Sequence, residues 1–403
     1  MKLNPLLAAL LTGAGALASG AAHAGATSWD PSWAFSGFGT IGYTRTSTDE
    51  GQFANPGQYG GVKKDGGFTT DTLLGAQVNA KANDVFSATV QGIAVRNGKG
   101  TYQPQLEWAF VKAQVTPELS LRAGRMGTPF FMVSDYRHVN YSNLWVRPPV
   151  DVYGQVPVSH FDGGDLTYRT SIGSANITAQ IYDGQSKAWV TGTHIVVGDQ
   201  MGITVSAEFD YGITLRAGTS KGKITFGDPP LNGLPAMLSQ TPFASVGSQL
   251  VGDHVSFSGV GASIDHENYV GNVEYTVRRS NNFVPDTTGW EVTGGYRIGK
   301  FTPFLTVSKV KIDDTNVVNN IPTATQQLAM LHGIVDGVLF GTSDSEHSEA
   351  VGLRWDVHQN IALKAQFDRI HVTPGSSGTF QKATAALSQK AVNVFAVSCD
   401  FVF

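Results

Sequence analysis

The chain has 403 residues, with 28 Lys and Arg against 32 Asp and Glu, for a formal net charge of −4. That mildly acidic balance argues against a nucleic-acid partner. Hydrophobic residues make up 41% of the chain, the N-terminal apolar run is too short for a transmembrane helix and no later segment approaches one, and a single cysteine, Cys399, allows no internal disulfide.

The chain opens with one lysine, Lys2, then a short apolar run diluted by Gly and Thr, then Ala22-His-Ala24. This pattern predicts a Sec-type signal peptide over residues 1–24, leaving 25–403 as a single unit. Period-two alternation then recurs. Trp33, Phe35, Gly37, Gly39, Ile41 and Tyr43 share one face of a first strand. Thr72, Leu74, Ala76 and Val78 share a face of the second, with Leu73 as an exception. Phe86, Ala88 and Val90 follow, then Leu106, Trp108 and Phe110 opposing Gln105, Glu107 and Ala109. The same reading gives strands around Leu119–Ala123, 165–169, 177–181, 203–209, 273–278, 290–298, 351–356 and 361–368. Segments near 212–220, 254–265 and 301–312 read as strands of ambiguous phase.

The pattern gives about 16 strands, and the connections alternate in length. Short ones fall at 82–84, 116–118, 173–174, 210–212, 265–267, 299–300 and 358–360. Long ones fall at about 46–67, 127–161, 183–201, 221–253, 313–345 and 373–390. Transmembrane barrels have short turns on one side and longer loops on the other, and closing the sheet satisfies edges that lipid cannot. A soluble sandwich has no reason to alternate in this way. Within the loops, Leu328, Leu331, Val335 and Val338 predict an amphipathic helix over 323–340, and 228–252 reads as a long mobile loop.

The last residues place Phe395, Val397, Cys399, Phe401 and Phe403 on one face, with Ser398 and Asp400 on the other. A final strand ending in an aromatic resembles the closing strand of a bacterial outer-membrane barrel, with Phe401 and Phe403 as the signal read by the barrel-assembly machinery. An ordinary amphipathic strand in a soluble sheet is the alternative.

The third long loop, 127–161, carries Phe130, Phe131, Met132, Trp145 and Tyr153, which need a surface to pack on. In a wide barrel that surface is the inner wall. Sixteen strands with such a loop resemble the trimeric porins of Gram-negative bacteria. Glu107-Trp-Ala-Phe110, Leu119-Ser-Leu-Arg-Ala-Gly-Arg125, Trp145-Val-Arg-Pro-Pro-Val-Asp-Val-Tyr-Gly154 and Asp162-Gly-Gly-Asp165 resemble a largely uncharacterised group of proteobacterial porin-like proteins. The resemblance implies a transmembrane antiparallel up-and-down β-barrel, all-β, with the third outside loop folded inward. It also implies a homotrimer in outer-membrane lipid, passing small hydrophilic solutes without cofactor or metal.

Selectivity comes from charges at the narrowest section. Candidates in and beside the loop are Arg122, Arg125, Arg137, Arg147 and Arg169 against Asp135, Asp151, Asp162 and Asp165. Each could instead pin the loop to the wall. Arg147 stands out because Pro148 and Pro149 stiffen the chain after it. No Gly-x-Ser-x-Gly elbow, His-Glu-x-x-His helix or phosphate loop is present. Asp265-His-Glu267 and Glu346-His-Ser-Glu349 read as solvated polar residues rather than metal ligands. The expectation is therefore a passive channel and not an enzyme. Alternatives are a channel selective for a small acid, sugar or phosphate, and an outer-membrane hydrolase.

Overall fold

The computed structural model describes residues 31–403 apart from 228–230, 232 and 390. The predicted signal peptide lies outside the described residues. Among those residues, sixteen strands form one closed antiparallel barrel in which each strand pairs with its sequence neighbours. The first eight are β1 (Ser32–Thr46), β2 (Leu73–Lys81), β3 (Phe86–Val95), β4 (Gln105–Gln114), β5 (Leu119–Gly127), β6 (His160–Ile172), β7 (Ala175–Val190) and β8 (Thr193–Phe209). The rest are β9 (Ile213–Phe226), β10 (His254–His266), β11 (Tyr269–Ser280), β12 (Asp286–Tyr296), β13 (Phe301–Asp314), β14 (Glu346–His358), β15 (Ile361–Val372) and β16 (Ala391–Val402). This is the all-β transmembrane barrel that the alternation predicts. All seven short turns fall where the sequence puts them.

Closure is made by β1 against β16, in register from Phe38 opposite Val402 to Thr46 opposite Val394. Backbone hydrogen bonds between Gly37 and Phe403 extend the seam. Gly37 and Gly39 leave room for the Phe403 and Phe401 rings, where a Cβ would collide with either ring. Large apolar residues such as Trp33, Leu74, Val90, Ile203, Val273, Leu305, Val351 and Phe395 stand exposed on the outward face. Aromatics gather toward the short turns: Phe86, Phe209, Tyr269, Tyr296, Phe301 and Trp355. An apolar band bounded by aromatic rings is the surface that lipid solvates.

Three expectations are corrected. Residues 183–201 are not a loop, because β7 and β8 continue as a hairpin turning on Thr191 and Gly192, both at positive φ. Such a two-residue turn matches the twist of the strands. Residues 228–252 are not an unstructured loop either. They contain α2 (Leu234–Ser239) and α3 (Ala244–Leu250), which bury Leu238, Val246 and Leu250 against the 326–341 helix. α1 (Val150–Tyr153) lies earlier, in the third loop. α4 (Gln326–Gly341) is the predicted amphipathic helix, capped by Thr325 and buried along Val335. Finally, Phe110 does not share an outer face with Leu106. A bulge leaves Glu107 without a partner in β3, and Phe110 packs with Met126, Phe161 and Tyr182 while Val111 is exposed. Bulges re-aim side chains in this way.

Candidate functional site

The loop between β5 and β6, residues 128–159, folds into the barrel and lies on one wall. Its aromatic residues do what their sequence required. Phe131, Trp145 and Tyr153 form a buried cluster with the inward residues Phe257 of β10 and Phe304 of β13. Polar ties surround that cluster. Trp145 Nε1 donates to Thr293 and Thr306, both at 3.1 Å. The Tyr153 hydroxyl donates to Glu274 at 2.8 Å, and burial followed by Glu274 and Glu291 pushes that phenol well above its ordinary range. Lys364 Nζ donates to the carbonyls of Asn140 and Trp145 and pairs with Asp400 at 2.8 Å. Arg354 donates to the carbonyls of Tyr141 and Asn143 at 2.5 and 3.0 Å.

Arg147 is the tightest of these ties. It is 4% exposed. Its Nε and Nη2 grip Asp71 at 2.9 and 2.6 Å, Nη2 also donates to Thr44 at 2.8 Å, and Nη1 lies 3.5 Å from Asp368. The Phe53 ring sits 5.1 Å from its guanidinium carbon. Burial opposes the charge, but Asp71 and then Asp368 outweigh it and raise the pKa above its ordinary value. In this geometry Arg147 joins the third loop to β1, β15 and the end of the first long loop. Asp151 is equally buried, accepting from Ser308 and Ser348 at 2.7 and 3.2 Å. Burial first, with Asp368 adding, pushes it to about 6.

The remaining candidates are spread over β5, β6 and the loop itself. Arg122 and Arg125 each fork onto the register partner in β6, Asp165 and Asp162. Arg216 approaches the exposed Asp135 at 3.6 Å. Arg137 donates to the Val158 carbonyl, and burial draws its pKa below the ordinary value against the pull of Glu107. Arg169 is exposed near the short-turn end. Alternation puts Glu107 on the lumen face of β4 without marking it as a site residue. At the bulge in β4 it lies buried, 3.3 Å from His138 and 3.5 Å from His160. Of the other two acid-histidine groups, Asp265 forks onto Arg297 at the turn, while Glu346 is not solvated as expected but buried, accepting from Thr379.

These contacts make the two walls unlike. Inward polar residues of β11–β16 are buried beneath the loop, among them Thr276, Glu291, Thr306, Ser348 and Gln366. On β2–β7, Asn79, Thr89, Lys112, Arg122 and Gln180 stay half-buried, while Gln91, Glu107, Ser120 and Asp165 are buried. Between the loop and this open wall lies a cavity of about 390 Å³. Leu73, the exception to alternation in β2, lines it.

No protein-family model matches the chain, and no curated protein matches it. Solved structures share its fold. OmpF of Salmonella typhi, in complex with daunomycin, is 14% identical with a TM-score of 0.56, over 92% of this chain and 97% of that one. The Vibrio cholerae outer membrane protein OmpT is 12% identical with a TM-score of 0.54, over 93% and 98%. The outer membrane channel DcaP of Acinetobacter baumannii is 12% identical with a TM-score of 0.53, over 94% and 100%. The chain therefore has the architecture of outer-membrane β-barrel proteins.

Proposed function

We propose that this chain is a passive diffusion channel of a Gram-negative outer membrane, admitting small hydrophilic solutes between the third loop and the β2–β7 wall. The observation that carries this reading is the contrast between the two walls. A loop present only to fill the barrel would cover polar groups all round. Here Arg147, Lys364 and Arg354 hold it against the β14–β16 side, His138 meets β4 only at Glu107, and polar side chains such as Asn79, Thr89, Lys112 and Gln180 stay half-buried on the other side. Half-hydrated polar groups beside a fixed loop are what a sieve requires. One relative in fold is itself described as an outer membrane channel.

The reading includes export by a cleaved signal, insertion guided by Phe401 and Phe403, assembly as a homotrimer and no chemical step. Purified protein added to a planar lipid bilayer should produce stepwise increases in conductance. Protein that inserts in folded form yet passes no current would refute the channel reading, and release of fatty acid or peptide fragments by it would favour a hydrolase.

A further inference from the structure

Two adjoining cavities of opposite character lie at the long-loop end. The first, beside the open wall, is lined by six cations, Arg96, Lys99, Arg125, Arg137, Arg147 and Lys187, against one acid, Glu107. Arg125 is neutralised by Asp162, and Arg147 by Asp71 and Asp368. Arg96, Lys99, Arg137 and Lys187 have no carboxylate within 4.0 Å among the described residues. Glu107 is 2% exposed and faces His138 and His160. Asp162 acts on Lys187 and Glu107 on Arg137 at longer range, and the first cavity still presents an excess of positive charge to anything that enters.

The second cavity, about 670 Å³, is mostly apolar. Val190, Ile195 and Phe226 of the β7–β9 wall face it from one side, and Ile334 and Val338 of α4 from another. Its charged groups include Arg278 and Asp344, which lie 3.9 Å from each other, and Lys382, which sits over the Tyr59 ring. Asn55, Pro56, Gly57 and Pro157 line both cavities, so the two meet there.

An apolar chamber adjoining a cationic one discriminates twice. A hydrophobic body leaves water in the apolar cavity, and an anionic head finds counter-charge in the cationic one. A sugar gains little from the apolar chamber, and inorganic phosphate or chloride gains only from the charges. We infer that the channel selects small organic carboxylates carrying an apolar body, such as aromatic or branched acids, and holds them where the two cavities meet. This inference rests on the channel reading above.

The test is a planar-bilayer experiment on the full protein in potassium chloride, with benzoate, benzamide and acetate added on the long-loop side. Benzoate should reduce the current at concentrations about tenfold lower than either benzamide or acetate, and a salt gradient should give a reversal potential of anion preference. Lys99→Gln with Lys187→Gln should weaken the benzoate effect about three- to tenfold and shift the reversal potential toward cations. Both side chains belong to surface positions whose loss leaves the barrel pairing untouched. Ile334→Asn should weaken benzoate about threefold and leave acetate unchanged. Open channels with cation preference, or with equal sensitivity to benzoate and benzamide, would overturn the inference and leave the channel reading standing. Folded protein with no conductance would overturn both.

Discussion

Replacing Arg147 by Gln should loosen the third loop. The substitution removes a guanidinium that is 4% exposed and leaves Asp71 and Asp368 facing each other with their counter-charge gone. Breaking a buried ion pair by removing one partner costs about 3–5 kcal/mol, mostly from the stranded charge. The adjoining cavity admits water, which draws the value toward the lower end, about 3 kcal/mol. Urea unfolding in detergent micelles, followed by the mobility difference between folded and unfolded barrel, measures the change. Asp71→Asn in the same chain should recover about 1–2 kcal/mol, because it removes the stranded charge. The double variant should also keep a reversal potential close to wild type, since the pair it removes is neutral. If Arg147→Gln is as stable as wild type, or if the two substitutions simply add, the side chain does not anchor the loop. A large shift in reversal potential in the double variant would instead make Arg147 a selectivity residue.

Other expectations follow from the same contacts. Asp151 has a pKa raised to about 6 by burial, above its ordinary 3.8, so its contribution is fully present below about 4 and is lost as pH rises through about 6. The wild-type unfolding midpoint should therefore climb between pH 7.5 and pH 5, and Asp151→Asn should raise the midpoint at pH 7.5 and flatten the climb; an unchanged slope would refute this. Gly39→Leu puts side-chain atoms where the Phe401 ring lies, so it should lower the yield of folded barrel, and Phe401→Ala should partly rescue it. Phe403→Asp should reduce outer-membrane levels and raise periplasmic degradation, measured by fractionation; normal accumulation would show that the terminal aromatic is not an insertion signal here.

The barrel was legible because lipid and lumen impose opposite demands on alternate residues. Val273, Tyr275 and Val277 against Glu274, Thr276 and Arg278 are enough to orient β11. Legibility ended where those demands end. The β7 and β8 strands run 16 and 17 residues, longer than a barrel strand needs to span a bilayer, and Val190, Ile195, Val196 and Val197 obey no strict alternation; only Thr191-Gly192 marks the turn. The α2–α3 segment is short, and Pro235 at its start looks like loop chemistry, although proline suits a helix's first turn. Alternation misplaces Phe110 because a bulge adds one residue and inverts all that follows. For the candidate site, the aromatic content of residues 127–161 announced a packed loop, but not which wall it would choose. The partners that decide that choice, Asp71, Lys364 and Arg354, lie far away in the sequence and look like ordinary strand-end or lumen residues. Glu107 was hidden for the same reason, since the two histidines beside it come from the loop and from β6.

The third loop covers the β11–β16 wall of the barrel and leaves polar positions on the β2–β7 wall open. Single cysteines on each wall, introduced in a Cys399→Ser background and treated with a small charged thiol reagent during bilayer recording, test it most directly. Thr89→Cys, Lys112→Cys and Gln180→Cys on the open wall should react quickly and change the current in steps. Thr293→Cys, Thr306→Cys and Ser348→Cys on the covered wall should stay unmodified. Rapid modification of the covered set, or silence at the open set in conducting channels, would show that the loop does not divide the lumen in this way.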